Sequence, residues 1–253
     1  MRGAAPRLAN FNLLLAEDAF DDISENTPFA FRNIAEFEHL LAEVVDCIVI
    51  FPESPGSFAE LGFFARSEQA RIRTLVVNPL HLQGEESFIN AGIIDYINRE
   101  SFFRPQLHVD FNRNSRPDFS AVIKRLEKRL TKKNRKKLEL LPAGDMPAQL
   151  RLYIVTYVVS TCRVLHIEDL KNVINECLPS GADFSEFDEI LSFCLGANLL
   201  ARAGSASDYL VPKYEKNPFI EVGGSAPSKA TSACIQFYQK HFPAVFSMLR
   251  NVA

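Results

Sequence analysis

Asp46-Cys47-Ile48-Val49-Ile50-Phe51-Pro52-Glu53-Ser54-Pro55-Gly56-Ser57-Phe58-Ala59-Glu60-Leu61-Gly62 reads as a strand, a tight turn and the start of a helix. Cys47 to Phe51 is an unbroken apolar run of strand formers, the pattern of a strand covered on both faces in a parallel sheet. Pro52, Pro55 and Gly56 stop it, and Ser57 is a good N-cap for a helix over 58–69. Such a junction aims backbone N–H groups and a helix-dipole end at the carboxyl edge of the sheet, where open α/β folds bind ligands. Glu60 has two readings there. Ser57-x-x-Glu60 matches a capping box, which only stabilises the helix start. A carboxylate at that edge is also a candidate for chemistry, and the two roles can share one position.

The elements around this junction alternate. Leu13–Ala16 reads as a short strand, and Ile34, Phe37, Leu40, Leu41, Val44 and Val45 form a helical stripe within 31–45. Strands are expected at 47–51 and 74–77, a short helix at 93–97, and an edge strand at 107–111. Strands and helices in this order imply βαβ units and a Rossmann-like parallel sheet.

Beyond residue 116 the character changes. The stretch 119–141 reads as one helix carrying Lys124, Arg125, Lys128, Arg129, Lys132, Lys133, Arg135, Lys136 and Lys137, with Val122, Ile123, Leu126 and Leu130 as its apolar stripe. It is either a solvated linker or a phosphate-contacting surface, since clustered cations on one element are the electrostatic footprint of nucleic-acid binding. Helices at 150–165, 167–178 and 184–199, then strands 199–202 and 209–212 around a Gly204 turn, have the layout of a winged-helix module. Its third helix carries Glu186, Asp188 and Glu189, an acidic set that favours a protein contact over a DNA groove. A last helix spans 231–249, interrupted at Pro243. The expected organisation is an α/β domain over 1–115, a basic connecting helix and linker over 116–147, a mostly helical winged-helix-like domain over 148–222, and a tail and helix over 223–253.

The run Glu53-Ser54-Pro55-Gly56-Ser57-x-x-Glu60-Leu61-Gly62 resembles the signature of the nucleoside 2-deoxyribosyltransferase-like family. Together with Leu41–Asp46, with Ser87-Phe88-Ile89-Asn90-x-Gly92 and with Glu17-Asp18-Ala19-Phe20-Asp21-Asp22, it is more closely similar to the effector proteins of bacterial retrons. The similarity covers roughly residues 10–100. It implies a toxin-like effector of an anti-phage system, restrained by a reverse transcriptase and its DNA–RNA product, the msDNA.

The resemblance makes Glu60 the nucleophile that cleaves an N-glycosidic bond through a glycosyl ester, with NAD as a candidate substrate and no cofactor. It places Glu53, Ser54, Pro55, Gly56, Ser57 and Asn90 at the substrate. Turn and cap roles stay open for Gly56 and Ser57, a structural acceptor role for Asp46, and a solvated-loop role for Asp18 and Asp21. Lys124, Lys128, Arg129, Lys132, Lys133 and Lys136 are the candidate contacts to nucleic acid or a partner. Family members begin with a further strand whose Cys/Gly-rich turn helps form the pocket, and residues 6–11 align with the helix after it. The first strand is therefore expected to be missing, and a non-catalytic scaffold that binds the retron ribonucleoprotein is the alternative function.

Composition sets further limits. Net charge is −3 over 253 residues, with no global nucleic-acid signature. The five cysteines, at 47, 162, 177, 194 and 234, are scattered and read as reduced core residues. The five histidines show no metal-ligand spacing, so no metal is expected. No apolar run reaches the length of a membrane span and the start lacks a signal-peptide core, which points to a cytoplasmic protein without a membrane partner; the resemblance implies a homo-oligomer.

Overall fold

The computed structural model describes residues 11, 13–17, 20, 34–111, 116–130, 146–177, 187–204, 207–215, 217–220 and 225–248. It is a mixed α/β structure with a three-stranded parallel sheet, helices, and a small antiparallel sheet. The chain divides into two units, one of Met1–Leu13 with Leu41–Lys137, the other of Leu14–Leu40 with Leu138–Ala253.

In the first unit, strands β1 (Ile48–Ile50), β2 (Thr74–Pro79) and β3 (Leu107–Val109) lie in the order β1-β2-β3, all parallel. Ile50 pairs with Val76 and Pro79 with Val109. The central strand β2 is buried at all six positions, as its uninterrupted apolar core Leu75-Val76-Val77 requires. Its polar members are satisfied: the Thr74 hydroxyl donates to the Ala70 carbonyl at 2.8 Å, and the Asn78 amide donates to Asn90 Oδ1 at 3.0 Å. Two helices, α2 (Pro55–Arg66) and α3 (Glu68–Arg73), join β1 to β2 in place of the single expected helix. Ser67 divides them, its hydroxyl capping α3 by accepting from Ala70 N.

The helix α1 (Ile34–Val44) precedes β1, and Phe37, Leu40, Leu41 and Val44 are its buried stripe. At its end, Arg73 Nη1 donates to the carbonyls of Ala42, Glu43 and Val45 at 3.1, 2.8 and 3.2 Å. A guanidinium there satisfies orphan carbonyls and opposes the negative end of the helix dipole. Arg73→Met keeps the stem and removes these bonds, so we expect a loss of about 2 kcal/mol in denaturant unfolding. An unchanged midpoint would show that water replaces the guanidinium without cost.

After β2 the chain runs through a 3₁₀ turn (Leu80–Leu82), a π-helical turn (Ile89–Ile94) and α4 (Asp95–Glu100), a longer helical stretch than the expected 93–97. After β3 comes α5 (Ser120–Arg129). Val122, Ile123 and Leu126 are its buried face; Val122 and Leu126 share a core with Leu75, Val77, Phe103 and Val109. The remainder of the expected helix, 131–141, lies outside the described residues.

One expected strand is absent. Leu13 to Leu15 have no regular structure, and Ala16 and Glu17 are helical. Leu13 is 51% and Leu15 37% exposed, so among the described residues no sheet covers these leucines.

In the second unit, α6 (Ala148–Cys162), β4 (Leu165–His166), α7 (Ile167–Cys177), α8 (Phe187–Gly196), β5 (Leu200–Ala203) and β6 (Tyr209–Pro212) follow in that order. The sheet is antiparallel, ordered β4-β6-β5, with Leu165 opposite Leu210 and Ala201 opposite Val211. The first helix stops three residues short of the expected Leu165. Arg163 turns the chain with φ 69°, and Leu165 is then taken into the sheet. Gly204, at φ 87°, supplies the left-handed conformation of the β5–β6 turn. The helices α9 (Ala226–His241) and α10 (Pro243–Met248) close the described chain, and the Tyr238 hydroxyl donates to the Val164 carbonyl at 2.6 Å. No helix among the described residues is long and apolar enough to cross a membrane.

Candidate functional site

The turn after β1 is built by two serines. Glu53 N donates to the Phe51 carbonyl at 2.9 Å, bending the chain directly out of the strand. Ser54, extended at φ −138°, ψ 162°, is the N-cap of α2, and its hydroxyl accepts from Ser57 N at 3.2 Å. Ser57 reciprocates, its hydroxyl accepting from Ser54 N and Glu53 N at 2.9 Å each. The capping box is therefore Ser54 with Ser57, not Ser57 with Glu60. Pro55 explains the shift: its fixed φ and missing N–H suit the first helical position, so the helix begins there. Glu60 falls in the second turn, where a capping-box role does not reach.

Gly56 sits at the second helical position. A Cβ built on it meets only Ser54 Oγ, at 3.8 Å. Gly56→Ala is thus expected to hold or raise stability, by up to about 1 kcal/mol, in thermal unfolding. A marked loss would reveal a strain in the turn that these contacts do not contain.

A cavity of about 510 Å³ opens at the carboxyl ends of all three strands. Pro52 and Glu53 line it from beyond β1, and Phe58 from the start of α2. Pro79, His81 and Leu82 line it from the end of β2 and the turn that follows; Asp110 and Phe111 do so from beyond β3. Phe111 is seated by ring contacts to Phe51 (6.0 Å, 87°) and Phe119 (6.2 Å, 56°), so this wall is an extension of the core. The setting is the place where parallel sheets bind ligands.

Of the residues singled out in the sequence, Glu53 lines this cavity. Ser54 and Ser57 lie beside it with their hydroxyls engaged in the turn, and Pro55 and Gly56 form the exposed start of the helix. Glu60 is half-buried and is not among the lining residues. Helical geometry accounts for this, since Phe58 and Glu60 stand roughly 200° apart around the axis. Between their two flanks, Leu61 and Phe64 are buried.

Asn90 is a brace. Its Oδ1 accepts from Asn78, and its Nδ2 donates to the carbonyls of Leu82 and Glu85 at 3.4 and 2.9 Å, which ties down the loop bearing His81 and Leu82. Asp46 is exposed at the bend before β1; Asp18 and Asp21 lie outside the described residues. His81, Asp110, Phe58 and Phe111 are the cavity residues that sequence reasoning missed. Asp110 falls in the expected strand 107–111, whereas the strand ends at Val109 and leaves it at the cavity.

On α5, Lys124, Lys128 and Arg129 are exposed, while Arg125 turns inward and donates to the carbonyls of Phe103 and Pro105. Burial first, and Arg129 second, hold the Arg125 guanidinium below its usual pKa. Lys132, Lys133 and Lys136 lie outside the described residues. In α8, Asp188 makes a surface ion pair with Lys171 of α7 at 3.4 Å. Cys47, Cys162, Cys194 and Cys234 are free thiols. Burial, then Asp46, pushes the Cys47 thiol up; burial, then the adjacent Cys234, pushes Cys162 up to about 12. Such thiols are poor nucleophiles. No group of three or more His, Cys, Asp or Glu among the described residues is placed to hold a metal ion.

Comparison with known proteins agrees with the similarity to retron effectors read from the motifs. The family described as "STM3845 retron effector protein" matches residues 1–203. Two curated Escherichia coli proteins are similar to shorter stretches. The "Retron Ec86 putative ribosyltransferase/DNA-binding protein" is 36% identical over 86 residues, 34% of this chain and 27% of that protein. Its retron Ec73 counterpart, carrying the same description, is 38% identical over 94 residues, 37% of this chain and 30% of that protein. The matched stretches thus span less than a third of either relative.

Proposed function

Because this chain belongs to the STM3845 retron effector family, we propose that it acts as a toxin-like effector of an anti-phage retron, cleaving an N-glycosidic bond of NAD or a related nucleotide. The observation that carries the reading is the cavity at the carboxyl ends of β1, β2 and β3, directly beside the Glu53–Gly62 turn that carries the family motif. Two relatives named as putative ribosyltransferases support the same class of chemistry.

The steps are those of a retaining glycosidase. The Glu60 carboxylate attacks the anomeric carbon as the carbon–nitrogen bond breaks, and the bonding pair leaves with the base. With NAD, the departing pyridinium becomes neutral nicotinamide, so little acid assistance is required. Water then attacks the glycosyl ester at the anomeric carbon, a proton is lost to solvent, and the carboxylate is regenerated. Glu53 orients the sugar from the cavity wall. No cofactor enters this cycle.

In this proposal the parallel-sheet unit is nucleoside deoxyribosyltransferase-like. The helix–strand–helix–helix–hairpin order of α6 to β6 supports a winged-helix-like module, and the exposed cations of α5 support contact with the reverse transcriptase–msDNA complex. The chain works as a homo-oligomer in the cytoplasm. One observation favours the non-catalytic scaffold as second reading: Glu60 is not among the residues that line the cavity. Nicotinamide release from NAD by the purified chain, alone and with the retron complex, separates the two. Release supports the enzyme; none in either setting leaves the scaffold.

A further inference from the structure

Among the described side chains of α9 and α10, Phe237 and Phe242 are the exposed large apolar ones, with 51% and 49% of their surface free. Both lie beyond residues 1–203, the stretch that matches the family. Their ring centroids are 5.6 Å apart, and His241, one helical turn after Phe237, adds a third ring at 5.0 Å. The helices beneath are anchored. Tyr238 donates to the Val164 carbonyl, and Val245 is buried with Val164 and Val211. The three rings therefore stand on a fixed support, open to solvent.

Charge specifies the occupant. The chain has 31 acidic residues in 253, yet the last of them is Glu221, and residues 222–253 carry Lys229, Lys240 and Arg250 instead. Lys240 is exposed three residues after Phe237, on the same side of the helix. Its full positive charge outweighs the roughly half charge at the carbonyl end of α9. Asp169 of α7 acts on Tyr238, whose hydroxyl faces the packed side. Gln236 and Gln239, both exposed, add amide donors and acceptors. The core of a protein interface is depleted in Lys and sets its aromatics in further apolar area, and this face does neither. Flat rings beside a cation suit a ligand that is itself flat and anionic. Nucleic-acid bases stack on aromatic faces whatever their sequence, and their phosphates supply the charge.

We propose that Phe237, His241 and Phe242, together with Lys240, form a stacking platform for single-stranded nucleic acid. Unpaired bases lie on the rings and the adjoining phosphates face Lys240. The platform is independent of the N-glycosidic site and of the α5 contact.

The test uses the full chain and a fluorescein-labelled oligothymidylate, read by anisotropy at low and moderate salt. Phe237→Ala with Phe242→Ala is expected to weaken binding about tenfold or more at both, the scale of lost base–aromatic stacking. The thermal midpoint should hold, because both rings are half exposed. Phe237→Tyr with Phe242→Tyr keeps the ring faces and should stay within about threefold of the wild type. The Ala pair is repeated with Lys124→Glu, Lys128→Glu and Arg129→Glu, so that stacking is read without α5. The chain has no tryptophan, so Phe237→Trp places a unique fluorophore on the platform, and its emission should fall as the oligothymidylate binds. No binding by the wild type, an affinity that survives the Ala pair in both backgrounds, or an unquenched tryptophan in the saturated complex overturns the proposal. So does a change of mass in light scattering by the Ala pair at unaltered affinity, which assigns the rings to a contact between copies of the chain. NAD cleavage is read separately. Its absence removes the N-glycosidic reading and leaves the platform to be decided by the titration.

Discussion

Glu60→Gln is expected to leave a folded protein with the thermal midpoint of the wild type and nicotinamide release reduced by at least about a thousandfold. The side chain is half-buried in the second turn of α2 and takes no part in the Ser54–Ser57 capping box, so an isosteric amide preserves the helix start. What it loses is the anion. A neutral amide neither stabilises an oxocarbenium-like transition state nor forms an ester that water can open. The same change should relieve the growth defect of cells expressing the unrestrained effector. A Gln variant that releases nicotinamide at the wild-type rate would remove Glu60 from the chemistry. Glu53, which lines the cavity, would then be the carboxylate to test.

Reversing the exposed cations of α5 should give the second large effect. Lys124, Lys128 and Arg129 project away from the buried stripe of Val122, Ile123 and Leu126, so Lys124→Glu, Lys128→Glu and Arg129→Glu together should preserve the fold. Removing one cation from a phosphate lowers the salt slope of binding by about 0.7 to 0.9. The combined variant is expected to hold the reverse transcriptase–msDNA complex about a hundredfold more weakly at low salt, with a flatter dependence on salt concentration. Co-purification at low and moderate salt reads this directly. Retention equal to the wild type at both would move the contact elsewhere, most simply to the α6–β6 module. Arg125 is left out of the set because its guanidinium serves the carbonyls of Phe103 and Pro105.

The parts of the fold that were legible are those encoded by short-range pattern. The apolar runs around Ile48–Ile50 and Thr74–Pro79 announced parallel strands because both faces of each strand are covered, and Pro and Gly marked where they stop. Residues decided by distant partners were not legible. Leu165 enters a strand because Leu210 lies opposite it, whereas Leu13 to Leu15 pair with no strand among the described residues. Arg73 reads as an unremarkable cation until its three carbonyl acceptors, some thirty residues earlier, are in place.

The site divides in the same way. Glu53, which the resemblance placed at the substrate, lines the cavity, and the helix start moved by three residues because Pro55 outweighs Ser57 as a marker. Asn90, which the resemblance placed at the substrate, ties the His81 loop to Asn78, a partner on β2 that its sequence neighbours do not reveal. His81 and Asp110 meet at one cavity only because β2 and β3 end side by side, and no spacing in the chain records that.

The central claim, a glycosyl ester on Glu60, is tested most directly by rapid acid quench of the protein with NAD, followed by mass spectrometry of the peptide that contains both Glu53 and Glu60. The account predicts an ADP-ribosyl adduct localised to Glu60 and absent from the Glu60→Gln protein. An adduct on Glu53, or NAD turnover with no adduct at any quench time, would contradict it.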